Sequence, residues 1–107
     1  MDLKVVWTNN ASSQLEEVFD YFKTVANISV ARKLVKEIVH KTKILSTNPR
    51  IGQKESLLSE RKREYRYLVE GNYKIIYWVE STIIFIAAVF DTRQNPVKMK
   101  EAVQPKF

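Results

Sequence analysis

Eight consecutive residues, Ile83 to Phe90, are all apolar. This run constrains the fold more than any other stretch of the chain. A strand buried on both faces has this pattern. It is therefore expected to lie centrally in a sheet, with one face under helices and the other lining a groove or covered by a partner. The residues before it have period two. Tyr65, Tyr67 and Val69 share one face of a strand while Arg66 and Leu68 share the other. After Glu70-Gly71-Asn72, a turn sequence, Tyr73, Ile75, Tyr77 and Val79 alternate with Lys74, Ile76, Trp78 and Glu80. Two registers fit this hairpin. A three-residue loop makes Arg66 and Lys74 diagonal neighbours on one face. A loop of only Gly71-Asn72 moves Lys74 to the tyrosine face.

The N-terminal half supplies what such a sheet must be packed with. Leu3 to Trp7 is β-branched and aromatic and reads as a first strand at the sheet edge. Thr8 or Asn9 can cap a helix whose apolar stripe is Ala11, Leu15, Val18, Phe19 and Phe22. Asn27 breaks it, and Ser29 is suited to cap a second helix with the stripe Ala31, Leu34, Val35, Ile38, Thr42 and Leu45. Asn48-Pro49 ends that helix. Residues 50 to 63 read as an irregular connection anchored by Leu57-Leu58, and Pro96 stops further pairing. The expected fold class is α+β in the order β-α-α-β-β-β, a helical hairpin packed on one face of a small, mainly antiparallel sheet.

At 107 residues the chain fits a single domain, 1–107. It has no cysteine, hence no disulfide or thiolate chemistry. No run approaches the ~20 apolar residues of a membrane span, and the start, Met1-Asp2-Leu3-Lys4, lacks a signal-peptide layout. A soluble cytoplasmic domain with no membrane contact is expected. The net charge of +6 is unevenly placed. Residues 32 to 54 carry Arg32, Lys33, Lys36, Lys41, Lys43, Arg50 and Lys54 against the single acid Glu37. A field of this kind attracts polyanions or an acidic protein, although a solvated helix face has the same composition. His40, the only histidine, has no triad companions, and no metal or cofactor motif is present.

The ordered set of segments carries a resemblance that no single fragment does. It comprises the strand ending in Trp7-Thr8, the helix pair, Asn48-Pro49-Arg50-Ile51-Gly52, the Tyr65-Arg66-Tyr67-Leu68 strand, the Asn72-Tyr73-Lys74-Ile75-Ile76-Tyr77 strand and the Arg93 segment running to Pro96. Over nearly the whole chain this resembles the RelE/ParE superfamily of bacterial type II toxins, which belong to toxin-antitoxin, or plasmid stabilisation, modules. RelE-like members are endoribonucleases that cut messenger RNA on the ribosome. The resemblance places Lys74 and Arg93 at their cationic positions, with assistance from Tyr73 or Tyr77 in proton transfer. Met99 stands where RelE has a tyrosine, and Tyr65 and Tyr67 stand where it has lysines. ParE-like members inhibit DNA gyrase by a protein contact, and the strands with Arg93 and Pro96 look closer to that branch. The resemblance implies growth inhibition by binding an essential target through Arg61, Arg63, Arg66, Lys74 and Arg93. It also implies no cofactor and a hetero-oligomer with a cognate antitoxin that is acidic and partly disordered when free. An inactive antitoxin-binding relative is the further alternative. Each cation also has a structural reading: Arg66 and Lys74 as outward residues of a half-buried sheet, Arg93 as a partner of Asp91, and the tyrosines as packing with wet hydroxyls.

Overall fold

The computed structural model describes residues 2–103. The strands are β1 (Lys4–Trp7), β2 (Gln53–Lys54), β3 (Arg66–Glu70), β4 (Tyr73–Glu80) and β5 (Ile83–Asp91). The helices are α1 (Asn9–Val25), α2 (Ile28–Lys41) and α3 (Met99–Ala102), with 3-10 turns at Thr42–Ser46, Ser56–Leu58 and Pro96–Lys98. The strands form one sheet in the order β1-β5-β4-β3-β2. β1 runs parallel to β5, and every other pairing is antiparallel. The α+β class, the helical hairpin and the edge position of β1 are as expected. The short β2, the 3-10 turns and α3 are additions that periodicity did not reveal.

Local chemistry sets the helix boundaries. The Thr8 hydroxyl accepts the Ala11 N–H at 3.1 Å and caps α1. Asn27, not Ser29, caps α2, its side-chain oxygen accepting the Val30 N–H at 2.9 Å. From α1 and α2, Ala11, Leu15, Val18, Phe22, Leu34 and Ile38 pack on Leu68, Ile75, Tyr77, Ile84 and Ile86 of the sheet. The opposite face of the sheet is covered by the chain itself. Leu58, Met99 and Val103 close over Ile76, Trp78, Ala88 and Phe90. This corrects the expectation of a groove or partner there. The amphipathic signal of α3 is too short to read, and of Leu57-Leu58 only Leu58 is buried.

The hairpin takes the shorter loop. Glu70 pairs with Tyr73, and Gly71 has a φ of +59°, which glycine adopts without strain. Arg66 therefore lies on the helix-facing side with Leu68, and Lys74 on the opposite side with Tyr67. A bulge at Ala87 shifts the β4–β5 register, since Ile76 pairs with Ala88 but Tyr77 with Ile86. Here β1 has ended, and α1 serves the exposed β5 edge instead. Thr8 Oγ1 donates to the Ile86 carbonyl at 2.8 Å, and Asn10 Nδ2 to the Ala87 carbonyl at 2.9 Å. Gln14 accepts the Val89 N–H at 2.8 Å. Asn10 and Gln14 also donate to the Ala102 carbonyl, at 2.8 and 2.9 Å, and so fasten α3 over the sheet.

One contact ties the Asn48–Gly52 segment to the core. The Tyr77 hydroxyl, fully buried, accepts the Gly52 N–H at 2.9 Å. A Cβ on Gly52 would sit 2.7 Å from both that hydroxyl and the Tyr67 carbonyl oxygen. Tyr77→Phe orphans the buried N–H and is expected to cost about 1–3 kcal/mol. Gly52→Ala is expected to cost a similar ~1–3 kcal/mol through overpacking. Urea denaturation measures both, and an unchanged midpoint for either variant would contradict this reading of the contact.

Candidate functional site

The C-terminal end of β5 borders a depression beside α1 on the helix side of the sheet. It is a cleft of about 580 Å³ whose lining includes Gln14, Glu17 and Tyr21 from α1, Tyr73 from β4, and Arg93 and Lys98. Past Asp91 the chain is fastened to the hairpin, because the Thr92 N–H and hydroxyl both donate to the Asn72 carbonyl at 2.8 Å. Arg93 then folds back on Asp91. Its Nε and Nη2 reach the two carboxylate oxygens at 3.0 and 2.9 Å, and its own N–H donates to the same group at 2.9 Å. These bonds hold the Asp91 carboxyl below the ordinary range, and the pair raises Arg93 above its usual value. Burial, and then the Asp91 charge, push the Tyr73 phenol upward. Its hydroxyl is therefore a weak acid that stays protonated at neutral pH.

Lys74 is on the other side of the sheet. Its Nζ lies 2.7 Å from Oε1 of Glu55 and 4.1 Å from the centre of the Tyr67 ring. Glu55 is only 4% exposed, and its second oxygen accepts the Leu57 N–H at 3.2 Å, which caps the Ser56–Leu58 turn. The lysine thus neutralises a buried carboxylate beneath an aromatic ring. Glu55 is the residue that sequence reasoning missed, because nothing in its neighbourhood distinguishes it from the exposed acids nearby.

The remaining cations are similarly engaged. Arg66 donates to the carbonyls of Gly52 at 2.7 Å and Arg50 at 3.2 Å, and its Nε meets Glu64 at 3.1 Å. Glu64 also meets Lys54 at 3.3 Å and Arg50 at 3.8 Å. Its carboxyl is held low, first by the hydrogen bond from Lys54. Arg61 donates to the carbonyls of Val103 at 2.6 Å and Lys100 at 2.7 Å, closing the end of α3. Arg63 lies with its guanidinium carbon 4.0 Å from the centre of the Trp78 ring, which stacks on Phe85 at 4.8 Å. Its Nη1 is buried with no hydrogen-bond partner among the described residues. Tyr77 is committed to Gly52, and burial pushes its phenol upward against that bond.

The predicted site residues therefore do not converge. Lys74 and Arg93 face opposite sides of the sheet, Arg66 serves the β2 edge, and Arg61 and Arg63 brace the cover over the second face. Met99, at the position of a tyrosine in the RelE-like pattern, is 1% exposed inside that cover. Among the described residues no three His, Cys, Asp or Glu side chains come together as a metal site, and no helix is long and apolar enough to cross a membrane.

Comparison with known proteins places this architecture. Residues 5–96 match the family described as ParE toxin of type II toxin-antitoxin system, parDE. The chain belongs to the ParE toxin family within the RelE/ParE superfamily. A solved structure described as the chromosomal ParDE TA system from P. aeruginosa has the same fold. It is 22% identical, with a TM-score of 0.70 over 83% of this chain and 95% of that one. None of the curated proteins compared matches this chain.

Two measurements separate structural from functional cations. Glu55→Ala strands Lys74, whose side chain is 23% exposed, and is expected to lower stability by about 2–3 kcal/mol, below the full cost of a broken buried pair. If Lys74 were a free functional cation, denaturation would show no such loss. The Asp91–Arg93 pair contributes stability above the ordinary carboxylate range, lost as pH falls through the depressed Asp91 value. Arg93→Ala should move the Asp91 carboxyl titration, followed by NMR, upward from its depressed position. A titration unaffected by the substitution would show that the pair is not formed.

Proposed function

We propose that this ParE-family chain arrests growth as a binding inhibitor of an essential cytoplasmic target, DNA gyrase, and that a cognate antitoxin neutralises it. One observation supports the non-enzymatic reading above all. The two cations that a RelE-like site would use on one phosphate are on opposite faces of the sheet, and each is engaged by a carboxylate, Lys74 by Glu55 and Arg93 by Asp91. Phosphoryl-transfer catalysis on RNA needs convergent charge and a proton-transfer group poised near the working pH. Tyr73 and Tyr77 have phenols shifted upward, away from that range. The Met99 position holds a buried thioether.

A target contact needs a firm, shaped surface instead. Arg93, half exposed and held in one orientation by Asp91, presents a fixed cationic group at the rim of the Tyr21–Tyr73 cleft. In this reading Arg93 contacts the target, while Arg61, Arg66 and Lys74 shape the scaffold.

Induced expression in bacteria with and without the neighbouring gene tests the proposal, with RNA ends sequenced and DNA-damage signalling scored in the same cultures. Growth arrest with damage signalling, intact messages and rescue by the neighbouring gene is expected. Arg93→Ala should weaken the arrest while leaving the fold intact. New message ends at ribosome-occupied codons, lost in the Lys74→Ala/Arg93→Ala double variant, would establish an endoribonuclease instead.

A further inference from the structure

Arg66, Lys74 and Arg93 are spent on internal partners, but the cations of the second helix are not. Among the described residues, every ion pair uses a cation outside α2 and the turn that follows it. Arg32, Lys33, Lys36 and Lys43 are all exposed, with His40 among them. At 100° per residue Arg32, Lys33, Lys36 and His40 fall on the side of the helix away from Ala31, Leu34 and Ile38, which face the core or pack against it, and Lys43 follows in the 3-10 turn. The single acid, Glu37, lies at one margin of the strip.

This arrangement works against the helix itself. Arg32 and Lys36 are like charges at i and i+4, which repel. They are also too far from the C-terminus of α2 to gain from its dipole, as Lys41 can. Glu37 stands four residues from both Lys33 and Lys41, yet no ion pair forms there among the described residues, which leaves the strip available to an external anion.

The composition of the strip selects the kind of anion. A protein interface is built around buried aromatic or apolar anchors and is depleted of lysine at its centre. Here the outward face carries three lysines, one arginine and no aromatic residue. The lack of an aromatic platform also disfavours single strands, which are held by stacking. Arg32, Lys36 and His40 follow one another at about 6 Å along the axis. The row from Arg32 to His40 spans about 12 Å of α-helix, and Lys43 follows in the 3-10 turn.

We propose that the outer face of α2 binds the phosphate backbone of duplex DNA without reading its sequence. Arg32, Lys33 and Lys36, with Lys43 from the 3-10 turn that follows α2, make the contacts. The inference stands apart from the choice of target, because it uses no residue of the Arg93 cleft.

The test is fluorescence anisotropy of a mixed-sequence 20-bp DNA duplex titrated with the full chain, made by cell-free synthesis, between about 50 and 200 mM salt. Binding that weakens steeply with salt is expected. Arg32→Gln/Lys36→Gln/Lys43→Gln should flatten the log–log salt slope by about 2.7, at ~0.9 per phosphate contact, and weaken binding at least about tenfold at low salt. These positions are exposed, so an unchanged far-UV circular dichroism spectrum should confirm folding. Lys4→Gln/Lys23→Gln/Lys62→Gln removes the same charge elsewhere and should leave the slope largely intact. An equal loss in this control would assign the binding to net charge alone and overturn the proposal. Tighter binding of the single strand, or no duplex binding at the lowest salt, would overturn it too.

Discussion

Everything in this molecule meets on β5. Its two edges pair with β1 and β4, its helix-facing side chains Ile84, Ile86 and Val89 lie under the helical hairpin, and Ala88 and Phe90 lie under α3 and the Ser56–Leu58 turn. Full burial of each large apolar side chain contributes about 1.5–3 kcal/mol, so Ile84, Ile86, Val89 and Phe90 make this strand a principal source of stability beside β4. Two-sided burial leaves no room for unpaired backbone groups. The bulge at Ala87 and the early end of β1 expose such groups, and Thr8, Asn10 and Gln14 satisfy them. The same two amides hold the Ala102 carbonyl, so the cover of the second face depends on the groups that repair the first.

That cover has a consequence for chemistry. A sheet face left open could gather basic side chains around a phosphate, as the RelE-like pattern requires. Here the face is filled by Leu58, Met99 and Val103, and its one lysine compensates the buried Glu55. Charge on this scaffold divides into two populations. Arg61, Arg63, Arg66 and Lys74 are paired, capped or stacked and hold geometry. The cations of α2 are solvated and unpaired among the described residues. Arg93 stands between the two, oriented by Asp91 yet half exposed. A rigid rim and an unpaired basic helix suit recognition better than bond-breaking.

The sequence disclosed the layers more readily than the contacts between them. Ile83 to Phe90 announced a doubly buried strand because periodicity and burial are the same signal. The stripes of α1 and α2 were equally plain. The hairpin register remained open until Glu70 was seen opposite Tyr73, since one residue of loop length moves Lys74 across the sheet. The partner of Lys74 was hidden because Glu55 lies 19 residues away in an irregular segment. Asn10 and Gln14 were unreadable for the same reason: an amide that repairs a bulge more than 70 residues away leaves no local pattern. Pairing of Arg93 with Asp91 was legible, being a contact within one turn.

Gyrase supercoiling of relaxed plasmid DNA, with and without the purified chain, tests the central claim most directly. The account predicts that the chain inhibits supercoiling and traps cleaved DNA, and that added antitoxin reverses the effect. Undisturbed supercoiling, together with messenger RNA cut by the same preparation in a translating extract, would contradict it.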